Sequence, residues 1–100
     1  MANRLFEDEN LTLDGKITAK IISFKTGLDV IDEVRRIRIK SRHYSLLIME
    51  DYLPVIGEIE GTVTVFADND TREYKNIKGF YKHAYNEFEL LISEEAKVND

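Results

Sequence analysis

Alternation of apolar and charged residues along residues 34–40 (VRRIRIK) is the feature that most limits what this chain can fold into. On an extended backbone, Ile37 and Ile39 fall on one side while Arg36, Arg38 and Lys40 fall on the other. A helix would scatter these residues around its axis, so the segment predicts a half-buried β-strand. Other apolar or β-branched segments of strand length follow the same logic, at residues 17–24, 28–31, 44–49, 62–67, 73–77, 80–85 and 88–93.

Turn signals separate these segments. Residues 25–27 (KTG) and 68–70 (DND) are typical turn sequences, and Asn86 suits the positive φ of a tight hairpin at residues 85–88. The five glycines lie between or at the edges of the predicted strands, and Pro54 predicts a bend. Short strands separated by turns roughly every ten residues predict an all-β fold, a flattened and largely antiparallel β-sandwich or barrel.

Two segments also fit a helix. Residues 29–36 (DVIDEVRR) have the spacing of a short amphipathic helix, and residues 93–96 (SEEA) look like a helix start with Ser93 as N-cap. Both are carried forward as alternatives to extended structure.

Length and composition bound the organisation of the chain. One hundred residues support one hydrophobic core, which we assign to a β-sandwich domain at residues 17–93. We predict that residues 1–16 form a flexible acidic lead and that residues 94–100 form a short polar tail. The sequence has no cysteine, no signal-peptide pattern and no apolar run near the ~20 residues that span a bilayer. We therefore expect a soluble, cytoplasmic protein.

Candidate catalytic and metal-binding residues are few. The simplest interpretation of His43 is a solvated residue in a turn. His83 alternates with Tyr81 and Tyr85 on the same side of a predicted strand, which predicts a half-exposed aromatic face. Residues 68–79 begin like a calcium loop but have Glu73 and Gly79 at the sixth and twelfth positions, where that loop needs glycine and glutamate. The sequence thus predicts no cofactor, no metal site and no enzymatic activity.

A basic cluster is the most distinctive local feature; its members are Arg36, Arg38, Lys40 and Arg42. In the structural interpretation, the cluster is the solvated face of a strand and pairs with acidic residues of neighbouring strands. The candidate acidic partners are Glu58, Glu60, Glu87 and Glu89. Read functionally, it binds an acidic protein surface. Nucleic acid is a weaker expectation, because the net charge of the chain is −5.

Three stretches together resemble a known family. Residues 21–39 join an apolar strand, a glycine turn at Gly27 and a second strand; residues 48–61 carry Pro54, two apolar residues and a closing glycine; residues 73–91 contain the pair Gly79-Phe80 and a hairpin at Asn86. In this order they resemble the N-terminal β-sandwich domain of the ATP synthase epsilon subunit, over about residues 17–96. The resemblance stops where the C-terminal helical hairpin of that family begins, so we expect the brake on ATP hydrolysis attributed to it to be absent.

The resemblance implies a non-catalytic, central-stalk component that docks on a gamma-type subunit and reaches the membrane-embedded ring, peripheral to the inner face of the membrane. The ring-facing loop of the family usually reads Leu-Pro-Gly-His-Ala-Pro. Here the same stretch is Met49, Glu50, Asp51, Tyr52, Leu53 and Pro54, with only the final proline kept. The alternative is a stand-alone sandwich that binds another partner through the basic cluster.

Overall fold

The computed structural model describes residues 16–95, and within them every regular element is a β-strand. The six strands are β1 (Ile17–Ser23), β2 (Gly27–Ser41), β3 (Ser45–Met49), β4 (Val55–Ala67), β5 (Thr71–Ala84) and β6 (Glu87–Glu95). The predicted all-β fold is confirmed. Both helical alternatives are wrong for the described residues: residues 29–36 lie within β2, and Ser93 to Glu95 continue β6, while Ala96 lies outside the described range.

The strands close into a flattened barrel. Five of them form a ring in the order β1-β6-β5-β4-β2, which closes by pairing β2 with β1, and β3 pairs with the second half of β2 outside the ring. All pairings are antiparallel except β1 with β6, which run parallel. One layer contains β1, β6 and the halves of β2, β4 and β5 next to them. The other layer contains β3 and the remaining halves of the three long strands.

The long strands pass from one layer to the other through β-bulges. Register shifts interrupt the pairing of β2 with β4 between Val34 and Arg36, of β4 with β5 between Gly61 and Val63, and of β5 with β6 next to Gly79. A bulge adds one residue to one strand, which bends that strand and lets it change layers. The strands predicted at residues 28–31 and 34–40 are therefore one strand, β2, and those at 73–77 and 80–85 are one strand, β5. The glycines at positions 57, 61 and 79 lie inside strands, so placing them at strand edges was wrong.

Side chains from both layers fill the barrel. The fully buried core includes Ile17, Ile21, Val34, Ile37, Ile39, Ile48, Val63, Val65, Phe88 and Leu90. β1 and β6 bury residues at alternate positions, as their period-two sequences predict. No helix among the described residues is long and apolar enough to cross a membrane. Residues 1–15 of the predicted lead and residues 96–100 of the predicted tail lie outside the described residues.

Candidate functional site

An exposed row of apolar side chains crosses the outer surface of the first layer. Cross-strand pairing places Leu28 beside Ile22, Ile22 beside Leu91, and Leu91 beside Phe80. Ile56 is paired with Lys82 and lies diagonally next to Phe80, since it is two residues from Glu58, the partner of Phe80. The exposed fractions are 61% for Leu28, 41% for Ile22, 48% for Leu91, 52% for Phe80 and 81% for Ile56. We call these five residues the apolar row.

Charged residues flank the apolar row. In the neighbouring row of the sheet, Lys82 is paired with Glu89 at 3.9 Å between Nζ and Oε1, and Glu89 lies opposite Lys20. A shallow groove of about 330 Å³ runs along this boundary, with Phe80 and Leu91 among the residues that line it. An apolar strip rimmed by charges is the usual composition of a protein–protein contact.

Sequence reasoning did not single out the apolar row. The signal was present as pairs of consecutive apolar residues, Ile21-Ile22 and Leu90-Leu91, where a strand with one solvated face should alternate with polar residues. The first member of each pair is buried and the second is exposed. Such doublets show that both faces of the strand are apolar.

The basic cluster divides into two parts. Arg36, Arg38 and Lys40, which we call the basic row, lie side by side on the outer face of the second layer, where their partners on β4 are Phe66, Thr64 and Thr62. The guanidinium carbon of Arg36 lies 4.2 Å from the centre of the Phe66 ring. With other described residues, none of the three forms an ion pair.

Arg42 stands apart from the basic row, in the turn between β2 and β3. Its Nη1 lies 3.3 Å from Oε2 of Glu60. Glu60 is thus the one of the four predicted acidic partners that pairs with the basic cluster. Its partner, Arg42, is the one member of the cluster outside the strand face.

The other predicted site lies in the loop between β3 and β4. Met49 ends β3 and pairs with Arg36, so the loop and the basic row meet at this point. The amide N–H of Asp51 donates to Oδ1 of Asn86 at 2.7 Å, and Nδ2 of Asn86 donates to Oδ1 of Asp51 at 3.3 Å. The loop is thus fastened to the hairpin between β5 and β6. Glu50 and Pro54 are exposed.

Tyr52 turns inward from the same loop. It packs against the core, and its ring lies edge-on to His83 with the ring centres 6.5 Å apart. Asp51 and Tyr52 therefore hold the loop in place, and Leu53, which is 77% exposed, is its most prominent apolar side chain.

His83 does not belong to a half-exposed face with Tyr81 and Tyr85. His83 is 1% exposed and Tyr81 is 4% exposed, whereas Tyr85 is 88% exposed. The shared parity fails at Tyr85 because the chain has already entered the hairpin, where Tyr85 and Asn86 both have positive φ. Neither ring nitrogen of His83 has a hydrogen-bond partner among the described protein groups, and burial lowers its pKa.

A groove of about 630 Å³ lies beside the turn between β2 and β3. At its centre the hydroxyl groups of Tyr44 and Tyr81 are hydrogen-bonded at 2.9 Å, and the Tyr44 hydroxyl also contacts the carbonyl oxygen of Glu58. Burial, followed by the bond to Tyr44, raises the pKa of Tyr81. The Tyr81 phenol therefore stays protonated at physiological pH and acts as a structural contact.

Charged residues also cluster at the turn between β4 and β5. Asp68 accepts hydrogen bonds from Nε of Arg35 at 2.7 Å and from Nζ of Lys16 at 3.0 Å. These two contacts lower the pKa of Asp68. The segment at residues 68–79, whose start resembles a calcium-binding loop, thus forms ion pairs at a hairpin tip. In the range 16–95, no three histidine, aspartate or glutamate side chains are grouped as metal ligands.

Comparison with known proteins gives a likeness of fold. No protein-family model and no curated protein matches this sequence. The fold is similar to that of a chain in the cryo-EM structure of the Tetrahymena thermophila mitochondrial ATP synthase central stalk and c-ring, with a TM-score of 0.65 and 19% sequence identity. The match covers 79% of this chain and 64% of that chain, so it spans less than two thirds of the stalk protein's length. The sandwich predicted from the sequence is thus a fold that an ATP synthase stalk also uses.

Proposed function

We propose that this chain is a non-catalytic binding subunit, similar in role to the epsilon subunit of an ATP synthase central stalk, and that it docks on a gamma-type protein partner. The apolar row is the observation that carries the proposal. It places Leu28, Ile22, Leu91 and Phe80 side by side, with Ile56 diagonally next to Phe80. Isolated exposed apolar residues are common on any protein, but five contiguous ones favour a covered surface.

The likeness to a stalk chain supports the partner class, because that protein is solved as part of a central stalk and c-ring assembly. The described residues offer no arrangement of nucleophile, base and oxyanion donors, and the one buried histidine faces aromatic rings. A role in binding agrees with such a surface.

The loop that follows β3 is the proposed second contact, directed toward the rotor ring. Met49, Glu50, Leu53 and Pro54 are exposed there, and the contacts of Asp51 and Asn86 hold the loop in one conformation. In such an assembly the chain would lie at the inner face of the membrane without crossing it.

Co-elution with the gamma-type subunit of the same organism tests this proposal. We expect a complex on size-exclusion chromatography at micromolar concentration. Phe80 stands in the middle of the apolar row, and a charge at the centre of an interface is costly, so Phe80→Glu should weaken binding by about 30-fold or more. Lys75→Glu, on an exposed side chain of the other layer, is the control and should bind normally. Absence of a complex with the unmodified chain would refute the proposal.

A further inference from the structure

Within residues 16–95, the outer edge of β3 is paired with no other strand. β3 pairs with β2 along its whole length, from Ser45 opposite Lys40 to Met49 opposite Arg36, and with no other strand among the described residues. The backbone groups on its other side are therefore available to an added strand.

β3 also lacks most of the features that protect edge strands. Its sequence is SLLIM, without a charged residue or a proline, and its pairing with β2 has no register shift. Natural sheets block their edges with lysines, prolines or bulges, and an edge without them accepts another strand readily. Its shortness is the one protective feature that remains, and it limits an added strand to a ladder of five residues.

The basic row lies next to this edge, and none of its side chains forms an ion pair with another residue in the range 16–95. On the outer face, Met49 and Leu47 stand between the free edge and the guanidinium groups of Arg36 and Arg38. A strand added to β3 would lie roughly 10 Å from β2, since neighbouring strands are about 4.8 Å apart. An extended arginine and an extended glutamate together span that gap.

We propose that the free edge of β3 binds an extended acidic segment of another protein by strand addition. The backbone of the segment continues the sheet, and acidic side chains at alternate positions on its outer face pair with Arg36 and Arg38. The pattern it must carry is short, with two or three acidic residues at every second position over about five residues. This site lies on the opposite layer from the apolar row and is independent of the proposed gamma-type contact.

The observations favour this occupant over two others. A second copy of the chain would bring its own β3, which has no acid, and would place two basic rows close together, which is repulsive. A nucleic acid would satisfy the charges of the basic row, but its backbone cannot form the hydrogen-bond ladder of a sheet. Its approach is also opposed by the net charge of −5.

A labelled synthetic peptide tests the proposal with the full chain. The peptide, of about nine residues, has glutamate at alternate positions and threonine or valine between them. Binding is followed by fluorescence anisotropy. We expect saturable binding that weakens with added salt, because exposed charge pairs are screened. Slowed amide exchange should appear along β3.

Two control peptides separate the two parts of the site. Replacing glutamate with lysine should abolish binding, and N-methylation of alternate amides should abolish it through loss of the ladder. Equal affinity of the N-methylated peptide would overturn strand addition, and equal affinity of the lysine peptide would overturn the charge pairing. Tight binding of a single-stranded oligonucleotide at the basic row, or self-association blocked by the N-methylated peptide, would also overturn the proposal.

Variants locate the site. Arg36→Glu/Arg38→Glu should weaken peptide binding about tenfold or more, because attraction becomes repulsion at two positions. Lys25→Glu/Lys75→Glu makes the same change in net charge on exposed side chains elsewhere and should bind as the unmodified chain does. Phe80→Glu should leave peptide binding unchanged, which keeps this proposal separate from the gamma-type contact. Loss of binding in Lys25→Glu/Lys75→Glu or in Phe80→Glu would overturn the location.

Discussion

His83 is a titratable side chain enclosed by an apolar core. It lies between the rings of Tyr52 and Phe88, with ring centres 6.5 Å and 6.3 Å away. Both of its ring nitrogens are buried without a partner among the described groups. Burial penalises the charged imidazolium, which lowers the pKa of His83 in the folded chain.

Acid should therefore destabilise the fold through His83. Since the folded pKa is lower than the unfolded value of about 6.5, the unfolded chain takes up the proton more readily. The contribution of His83 to the free energy of unfolding is complete above about pH 6.5. It is lost progressively as the pH falls toward the folded pKa, by up to about 1.4 kcal/mol per pH unit. Urea unfolding between pH 7.5 and 5 measures it.

His83→Leu is the matched variant. It removes two unpartnered polar atoms at similar volume, so we expect stability at neutral pH to be unchanged or higher by about 1 kcal/mol. The slope below pH 6.5 should become shallower. An unchanged slope would refute the assignment to His83. Carboxylates such as Asp68, whose pKa is lowered, lose their contribution only at more acidic pH.

Gly61 and Gly79 occupy places where two backbones approach each other closely. A Cβ at Gly61 would stand 2.0 Å from the carbonyl oxygen of Lys40, and one at Gly79 would stand 2.0 Å from that of Leu91. Both neighbours are backbone atoms, which cannot rotate away. Each residue sits next to a bulge where a long strand changes layer.

Gly61→Ala or Gly79→Ala should thus lower the free energy of unfolding by about 3 kcal/mol or more. Gly27→Ala is the control. Gly27 has a φ of 75° but open space around a Cβ. Gly27→Ala should therefore lower the free energy of unfolding only through the strain of an alanine at positive φ, by about 1 kcal/mol. Chemical denaturation compares the three. Equal losses at all three positions would show that conformation, and not the close approach, decides the cost.

At the scale of the strands, the sequence predicts which segments are extended but not where they change layer. The alternation of Ile37 and Ile39 with arginines identified part of β2 correctly. The helical spacing of Ile31 and Val34 has a different cause. Glu33, with a φ of 61°, lies at a bulge in the pairing of β2 with β1, where one extra β2 residue makes two buried positions fall three apart. Nothing local distinguishes that bulge from a helical turn, because the need for it arises from the closure of the barrel.

The candidate sites were also predictable in part. The basic row was visible because its charges alternate with buried isoleucines. The apolar row depends on register across five strands, which single strands do not encode. The sequence predicts no strand at residues 55–61, but they form the first half of β4, since pairing with β5 extends back to Val55.

The fastening of the loop after β3 is an element-scale property that Asn86 controls. Asn86 has a φ of 60° and two hydrogen bonds with Asp51. Asn86→Gly keeps the conformation and removes both bonds, so we expect a loss of about 1–2 kcal/mol and faster amide exchange at Asp51. Asn86→Ala should cost about 1 kcal/mol more, because alanine resists positive φ. Exchange at Asp51 that stays slow in Asn86→Gly would show that other contacts hold the loop.

At the scale of the whole molecule, closure of the ring joins the two layers into one cooperative unit. β2, β4 and β5 each belong to both layers, and the core contains side chains from all six strands. Neither layer can separate without breaking strands that the other layer needs. A small domain built in this way should unfold in a single transition.

Paired substitutions in the two layers test that cooperativity. Ile21→Val alters the layer of the apolar row, and Ile37→Val alters the layer of the basic row; both side chains are at most 1% exposed. Each should cost about 1 kcal/mol, which lowers the melting temperature of a domain of this size by roughly 4–8 °C. Circular dichroism and tyrosine fluorescence should give the same midpoint in each variant. Divergent midpoints, or a variant that shifts only one probe, would mean that the layers unfold separately and that the ring is not the cooperative unit.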